Sequence, residues 1–226
     1  MDIGGKTALS RVITRLSRSR RIDEIVVATT TATQDDAIVT RAMRIGVKWF
    51  RGSENDVLSR YRGAAEAFRA DLVVRITSDC PLIDPAVVDQ VIEKCVSDKA
   101  DFACNVLPRS FPRGLDTEVF SLTALAKTEK LAHESYQREH VTPVFYERRD
   151  LFRIVSVSAE RDYSRYRWTL DTPEDLELIH AIYSHFNNND DFSWREVLAL
   201  MDRLPHLEGI NAHIVQKPVR SHALVY

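Results

Sequence analysis

The chain has 226 residues, of which 44% are hydrophobic and 28% are charged, and its formal net charge is -2. This size and balance are typical of a soluble globular protein, and we expect a single domain over residues 1–226. The absence of a strong basic excess argues against nucleic acid or a membrane surface as partner. No run approaches the roughly 18 apolar residues that a membrane helix needs.

Basic residues and cysteines carry little functional signal in this sequence. The basic residues of the first predicted helix are interpreted as a solvated face; they are Arg11, Arg15, Arg18, Arg20 and Arg21. The three cysteines are odd in number and lack CxxC spacing, which favours neither a disulfide framework nor a zinc site. Together with a start that lacks the apolar core of a signal peptide, this favours a reducing cytoplasm.

Helices and strands alternate through the first half of the chain. Hydrophobic residues recur with the period of a helix over residues 9–16, and the apolar run at 24–29 predicts a strand. The next predicted pairs are a helix at 34–45 ending at Gly46 with a strand at 47–50, and a helix at 56–70 with a strand at 71–77. Asp84 as N-cap and Pro85 at the first helical position begin a fourth helix, and a strand at 100–106 follows it.

The order changes after residue 106. A loop at 107–116 and a short strand at 117–120 precede helices across 121–148, which we interpret as a substrate-facing section. Strands are predicted at 151–157 and 166–170, followed by helices at 172–186 and 193–201. Several of the strands are apolar on both faces, which is typical of a mostly parallel sheet covered on both sides. We therefore expect an α/β fold, a three-layer sandwich with a mostly parallel, mixed sheet.

Two aspartates follow predicted strands. Asp79 comes after the strand at 71–77, and Asp171 comes after the strand at 166–170. Ligands of open parallel sheets bind beyond the carboxyl ends of the strands, and Mg²⁺ needs only one or two carboxylates when phosphates and waters complete its shell. The two acids are therefore candidates to share one metal ion. The alternative from the residues alone is that each caps a helix.

Four ordered motifs resemble a known family. They are RITSDCPLIDP at 75–85, SFPRGLDTEVFS at 110–121, REHVTP at 138–143 and RWTLDTPEDLE at 167–177. The chain is similar to cytidylyltransferases of the spore-coat polysaccharide F type, relatives of the acylneuraminate and deoxy-octulosonate CMP-sugar synthetases. The similarity runs from GGKTALSRVITRL to the closing pattern IN.HIVQK at 210–217. It implies a nucleotide-diphospho-sugar transferase fold and transfer of a cytidylyl group from CTP to a sugar or sugar acid.

The resemblance also implies roles for individual residues. Asp79 would bind Mg²⁺ near the α-phosphate, with Ser78 beside it at the substrate, and Asp171 would complete the site and orient the acceptor. Ser53 and Arg60 match the family's segment near the cytosine base. Ordinary placement on a helix surface is the alternative for these last two residues.

The acceptor pocket is expected in the loop after residue 110. Arg113, Asp116 and Glu118 are candidates to recognise the hydroxyl and carboxylate groups of the sugar, with an ordinary charged loop as the alternative. Arg138 and His140 are candidates to face the same pocket, although a lone histidine is more often structural. The thiol of the cysteine that follows Asp79 is interpreted as a packed group and not as a nucleophile.

The family normally opens with a strand and a loop containing Gly, Arg and Lys, and this chain begins after them. That loop would supply backbone N–H groups and cationic side chains to the triphosphate. The strand would lie between the predicted strands at 24–29 and 71–77, which would otherwise pair directly. We therefore expect a chain that is N-terminally truncated relative to the family, with an altered sheet, negligible transfer activity and marginal solubility.

Three functions remain open at this point. The first is a Mg²⁺-dependent cytidylyltransferase of the cytoplasm that serves surface-polysaccharide biosynthesis, with a homodimer as a compatible assembly. The second is a non-catalytic family member that binds a nucleotide or a sugar. The third is a glycosyltransferase of related fold, which ranks lower because such enzymes commonly show Asp-x-Asp at the metal, whereas Pro81 stands two residues after Asp79.

Overall fold

The computed structural model describes residues 1–216, so that Lys217, the last residue of the closing pattern, lies outside the described residues. The first half alternates helices and strands as predicted. Its elements are β1 (Asp2–Ile3), β2 (Lys6–Thr7), α1 (Ala8–Leu16), β3 (Val26–Thr30), α2 (Asp36–Ile45), β4 (Lys48–Gly52), α3 (Val57–Ala67), β5 (Leu72–Arg75), α4 (Pro85–Ser97) and β6 (Phe102–Cys104).

Local sequence signals explain where several of these elements begin and end. Gly46 ends α2 in the left-handed region at φ 84°, a conformation that glycine adopts without steric cost. Asp84 caps α4 by accepting hydrogen bonds from the main-chain N–H groups of Ala86 and Val87, with Pro85 at the first position. Both sequence predictions are confirmed.

The second half is mainly helical. Its elements are β7 (Glu118–Ser121), α5 (Leu122–Leu131), α6 (Ser135–His140), α7 (Pro143–Glu147), β8 (Ile154–Ser156), α8 (Pro173–His185), α9 (Trp194–Arg203) and α10 (His206–Gly209). Among residues 1–216, no helix combines the length and the apolar character that a membrane crossing requires.

The strand predicted at 166–170 is wrong. Arg167 forms an isolated bridge with Arg113, in which the Arg113 N–H donates to Tyr166 O over 3.0 Å and the Trp168 N–H donates to Arg113 O over 2.7 Å. The pairing stops there because the partner segment is a loop that turns at Gly114, where φ is 104°. The apolar pattern of the segment reflects burial of an extended chain and not a ladder of strand hydrogen bonds.

The strands form two separate sheets besides the β1–β2 hairpin. β3 and β4 are parallel, and the second sheet has the order β5-β7-β6-β8, in which only β6 and β8 pair in parallel. The expected direct pairing of β3 with β5 is not observed among the described residues. A cavity separates these strands, and side chains of α1 and α3, among them Val12 and Tyr61, line it from the helices.

Helices cover both faces of the sheet region, which gives the three layers that the sequence predicts. On one face, α1 and α4 pack through residues such as Val12 and Val91, in a cluster that also holds Cys80 and Cys95. On the other face a second cluster surrounds Cys104, Phe120 and Phe145. A third cluster joins α8 and α9 around residues such as Trp168 and Tyr183.

The interpretation of the basic residues of α1 as a solvated face is wrong for Arg11 and Arg15, whose exposure is 0%. Arg11 donates to main-chain carbonyls at Ile3 and Asn188. Arg15 donates to the carbonyl oxygens of Ile83, Asp190 and Phe192 over 2.7, 2.8 and 2.9 Å. A guanidinium group can be buried in this way because its several N–H donors match several carbonyl acceptors at once.

Candidate functional site

Asp79 lies in the turn that follows β5 and is half-buried. The Thr169 hydroxyl donates to the main-chain oxygen of Asp79 over 3.3 Å, which brings the segment that ends at Asp171 beside the segment of Asp79. Neither aspartate caps a helix, because Asp84 caps α4 and Thr172 caps α8. The capping alternative is therefore wrong for both acids.

Asp171 is held by an arginine. One of its carboxylate oxygens accepts from Arg167 Nη2 over 2.6 Å, while 42% of its side chain remains exposed. Arg167 also pairs with buried Asp175 through two hydrogen bonds of 2.9 Å. Asp171 is thus positioned at the surface by a guanidinium group that is itself anchored in the protein.

The residues that hold Arg167 in place were not predicted from the sequence. The Asn211 amide donates to Arg167 O and to an Asp175 carboxylate oxygen, each over 2.8 Å, and Arg167 Nη1 donates to Gln216 Oε1 over 2.5 Å. Burial opposes the charge of Asp175, but the hydrogen bonds from Arg167 and Asn211 outweigh this effect and lower its pKa. The sequence feature that could have indicated them is the closing pattern at 210–217, which contains Asn211 and Gln216.

The loop before β7 carries two of the predicted acceptor residues. Arg109 makes a two-pronged ion pair with Asp116, with N–O distances of 2.6 and 2.7 Å. Burial, followed by the nearby charge of Arg109, lowers the pKa of Arg113, while the charge of Asp171 acts on it in the opposite direction. Arg113 forms the bridge with Arg167 described above, and Arg167 in turn holds Asp171, while Asp116 is paired with Arg109. Recognition of the acceptor by Arg113 and Asp116 stays a prediction.

Glu118 belongs to a separate internal network. It is the first residue of β7 and is buried, and its carboxylate accepts from Arg75 Nη1 over 2.6 Å, from the Thr142 hydroxyl over 2.9 Å and from the Tyr146 hydroxyl. Burial, followed by the charge of Glu118, raises the pKa of Tyr146 well above its usual value. All of these contacts of Glu118 are with residues of the protein itself. A role for Glu118 in acceptor recognition stays a prediction.

Ser53, Arg60 and Arg138 form a second group at the start of α3. Arg60 Nη1 donates to Ser53 O over 2.6 Å, and Asp56, the N-cap of α3, accepts from Arg138 Nε over 2.9 Å. Arg138 thus contacts the segment predicted to lie near the base. His140 ends α6, is half-buried and accepts a hydrogen bond at its carbonyl oxygen.

A cavity of about 890 Å³ lies between β3 and β5. Arg60 lines it from α3, and Thr77 and Ser78 line it from the end of β5, directly before Asp79. Ser78 is exposed. This volume falls within the range of pockets that hold small organic ligands.

The donor set around Asp79 suits a magnesium ion that is completed by substrate. Within residues 1–216, no three His, Cys, Asp or Glu side chains are grouped so as to hold a metal by themselves. The Asp79 carboxylate accepts one hydrogen bond within this part of the chain, from the Cys80 thiol over 3.5 Å, and so keeps lone pairs for a cation. One or two carboxylates with phosphate oxygens and waters meet the needs of Mg²⁺.

Cys80 is a packed thiol. Its exposure is 3%, and burial, followed by the charge of Asp79, raises its pKa well above the usual 9.0. A thiol with such a pKa remains protonated near neutral pH and is a weak nucleophile. The interpretation of this cysteine as a structural group is supported.

Comparison with known proteins shows which sequences this chain is similar to. A family model described as Cytidylyltransferase matches residues 1–196. An uncharacterised protein of Methanocaldococcus jannaschii is 36% identical over 223 residues, covering 97% of this chain and 90% of that protein. The spore coat polysaccharide biosynthesis protein SpsF of Bacillus subtilis is 31% identical over 186 residues, covering 81% of this chain and 76% of SpsF.

A solved structure agrees with these sequence matches. The structure of a cytidylyltransferase from Leptospira borgpetersenii superimposes with a TM-score of 0.88 at 32% identity, covering 100% of this chain and 91% of that one. The sequence match over residues 1–196 and the shared architecture of the whole chain lead to one assignment. The chain belongs to the cytidylyltransferase family.

Proposed function

We propose that this protein is a Mg²⁺-dependent cytidylyltransferase that transfers a cytidylyl group from CTP to a hydroxyl of a sugar or sugar acid, for surface-polysaccharide biosynthesis. The family match over residues 1–196 and the similarity to SpsF support the reaction class and its setting. We place the reaction in the cytoplasm, where CTP is available.

The observation that carries this proposal is the contact between Thr169 and Asp79. It brings two motifs that are distant in sequence into contact, each with a carboxylate that caps no helix. Arg113 and Asp116 lie in the same region, as expected for a site that must bind an anionic substrate and hold a polar acceptor.

The transfer is a displacement at the α-phosphorus of CTP. The acceptor oxygen forms the new P–O bond, the bond to the bridging oxygen of the leaving group breaks, pyrophosphate departs and the hydroxyl proton passes to solvent water. Asp79 and Asp171 would hold magnesium, which when bound neutralises charge on the triphosphate. Arg60, which lines the cavity, and Ser53, whose carbonyl oxygen accepts from Arg60, would contact the nucleotide, and Arg113 and Asp116 would position the acceptor.

Calorimetry followed by a product assay tests this proposal. The full chain is titrated with CTP, ATP, GTP and UTP in the presence and absence of Mg²⁺, and pyrophosphate release is then measured with neutral sugars and with 2-keto sugar acids. We expect binding that is selective for CTP, needs Mg²⁺ and yields pyrophosphate with one class of acceptor, an outcome that would overturn the negligible activity expected from the sequence alone.

Each other outcome contradicts a defined part of the proposal. Absence of heat at millimolar CTP would refute nucleotide binding. Binding of CTP without pyrophosphate release from any acceptor would favour the non-catalytic alternative. Transfer of sugar from a nucleotide-sugar donor, without pyrophosphate, would identify a glycosyltransferase.

A further inference from the structure

The Asp175 carboxylate lies at the centre of a buried hydrogen-bond network at the start of α8. The residue has 0% exposure, and one of its carboxylate oxygens accepts from Arg167 Nε over 2.9 Å and from the Asn211 amide over 2.8 Å. The other oxygen accepts from Arg167 Nη2 over 2.9 Å and from the main-chain N–H groups of Asp171 and Thr172, each over 3.0 Å. Asp175 therefore holds the main chain at Asp171 and also the guanidinium group that contacts the Asp171 side chain.

Asp171 has little rotational freedom as a result. Its main-chain N–H donates to Asp175, and one of its carboxylate oxygens accepts from Arg167 Nη2 over 2.6 Å. An exposed aspartate without such partners populates several staggered rotamers. Although 42% of its side chain is exposed, Asp171 is thus presented in one orientation.

Two residues of the segment that follows α10 hold this network from behind. The Asn211 amide donates to Arg167 O and to Asp175, each over 2.8 Å, and Asn211 has an exposure of 3%. Gln216 is half-buried, and its Oε1 accepts from Arg167 Nη1 over 2.5 Å. Both residues lie beyond residues 1–196, the part of the chain that the family model matches. They fix the orientation of Arg167, because a planar guanidinium group can satisfy several acceptors at once only in one orientation.

The segment that the network holds also contacts the turn of Asp79. Thr169 lies in the middle of residues 167–171, and its hydroxyl donates to Asp79 O over 3.3 Å. The main chain of the same segment forms the bridge with Arg113 in the loop before β7. A shift of this segment would therefore move Asp171 relative to Asp79 and to the loop. Misplacement of a reacting group by about 1 Å can cost about a hundredfold in rate.

We propose that Asn211 and Gln216 are positioning residues of the transfer reaction, which act through Arg167 and Asp175 to fix the carboxylate of Asp171. This inference rests on the proposed function, in which Asp171 helps to hold magnesium. Residues that orient a metal ligand through hydrogen bonds typically change metal affinity or activity by about 10- to 100-fold when they are substituted. The segment that follows α10 is therefore part of the site although it lies outside the residues that the family model matches.

Metal binding tests this role without turnover. Binding of Mn²⁺ to the full chain in the presence of CTP is followed by the relaxation of water protons. Asn211→Leu removes both donations at nearly constant side-chain size, Gln216→Met removes the acceptor for Arg167, and Gln216→Glu keeps one. We expect Mn²⁺ to bind about tenfold more weakly to Asn211→Leu and about threefold more weakly to Gln216→Met, whereas Gln216→Glu should restore binding.

Steady-state kinetics separate positioning from a loss of stability. In the pyrophosphate assay, kcat of Asn211→Leu should fall about tenfold or more, while the KM for CTP should change less than about threefold. The matched control is Leu125→Ala, since Leu125 is buried in the cluster of Phe120 and Phe145 on the other face of the sheet. It removes buried methyl groups and so lowers the thermal midpoint, but it should leave Mn²⁺ affinity and kcat unchanged. All assays are made well below the thermal midpoints of the variants.

Unchanged Mn²⁺ affinity and kcat in Gln216→Met and in a folded Asn211→Leu would overturn the proposal. Gln216 keeps the test open if Asn211→Leu does not fold, because its side chain is only half-buried. Equal losses in Leu125→Ala would assign the effect to general destabilisation and would also overturn the proposal. An unsubstituted chain that binds no Mn²⁺ in the presence of CTP would refute the proposed function itself, whereas binding that these substitutions leave intact would refute this inference alone.

Discussion

At the scale of single residues, Asp79 is expected to act through its charge. Asp79→Asn keeps the size of a half-buried side chain but removes the carboxylate that the proposed magnesium site requires. We expect Mg²⁺-dependent CTP binding to weaken at least tenfold and pyrophosphate release to fall at least a hundredfold, with a thermal midpoint nearly unchanged. Calorimetry, the pyrophosphate assay and thermal unfolding check these effects.

The matched control is Asp202→Asn, since Asp202 is an exposed aspartate of α9. It should alter neither binding nor turnover. An Asp79→Asn protein that keeps most of its Mg²⁺-dependent binding and turnover would remove Asp79 from the metal site.

Glu118 presents the opposite case, a carboxylate that stabilises the fold. Its side chain is 8% exposed and pairs with Arg75, and both Thr142 and Tyr146 donate to it. Glu118→Gln leaves the arginine charge without its counter-ion, which we expect to cost about 3 kcal/mol in the free energy of unfolding. Denaturant titration measures this loss, and exposed Glu177→Gln on α8 is the control. A change below about 0.5 kcal/mol, as for ordinary surface substitutions, would contradict it.

At the scale of elements, the start of α8 should give the protein a defined acid sensitivity. Asp175 belongs to the capping box with Thr172, and its pKa is lowered from 3.8 because hydrogen bonds from Arg167 and Asn211 outweigh its burial. A carboxyl group whose pKa is lowered by folding stabilises the folded protein while it is charged. This stabilisation is fully present at pH values above the pKa of the group in the unfolded chain, and it is lost as the pH falls through its pKa in the folded protein.

We therefore expect Asp175→Asn to reduce the free energy of unfolding by about 2 kcal/mol at pH 7. The difference from the unsubstituted protein should stay constant down to about pH 5 and shrink as the pH falls below about 4. Denaturant unfolding across this range measures it. A difference that is independent of pH between 7 and 2 would show that the charge of Asp175 is not what matters.

Elements with strong local signals could be predicted from the sequence. Gly46 and Asp84 mark helix boundaries by interactions within a few residues, so their assignments needed no tertiary information. The segment at 166–170 could not be assigned correctly, because burial produces the same apolar pattern with or without a partner strand. For the candidate site, the sequence predicted the motifs but not the side-chain contacts that hold them in place. Arg109 and Asn211 were missed since their partners Asp116 and Asp175 are chosen by tertiary packing.

At the scale of the whole molecule, Arg15 joins distant parts of the chain. Its guanidinium group connects α1 to the carbonyl of Ile83 before α4 and to the carbonyls of Asp190 and Phe192 after α8. Arg15→Lys replaces the planar guanidinium group, which has several N–H donors, with one compact ammonium group. The substitution would therefore leave buried carbonyl groups without hydrogen-bond donors. We expect a loss of about 3 kcal/mol in the free energy of unfolding, since each unpaired buried group costs roughly 1 to 3 kcal/mol.

Thermal or denaturant unfolding measures this effect, and Arg20→Lys at an exposed position is the control. Equal stability of the two variants would mean that the carbonyls find other donors. The burial of Arg15 was not predictable from the sequence, because a basic helix face is typical of a solvated surface. The segment that covers Arg15, around 190–192, is distant in sequence and is brought there by tertiary packing.

The buried cysteines make the layers of the molecule separately observable. Cys80, Cys95 and Cys104 are free and buried, the first two in the cluster of α1 and α4 and the third in the cluster on the other face. Burial raises the pKa of each thiol, that of Cys95 to about 11, so that labelling by a thiol reagent must wait for local opening. We expect no modification of the native protein on the time scale of minutes, and mass mapping of the first label at elevated temperature should show which helical layer detaches first.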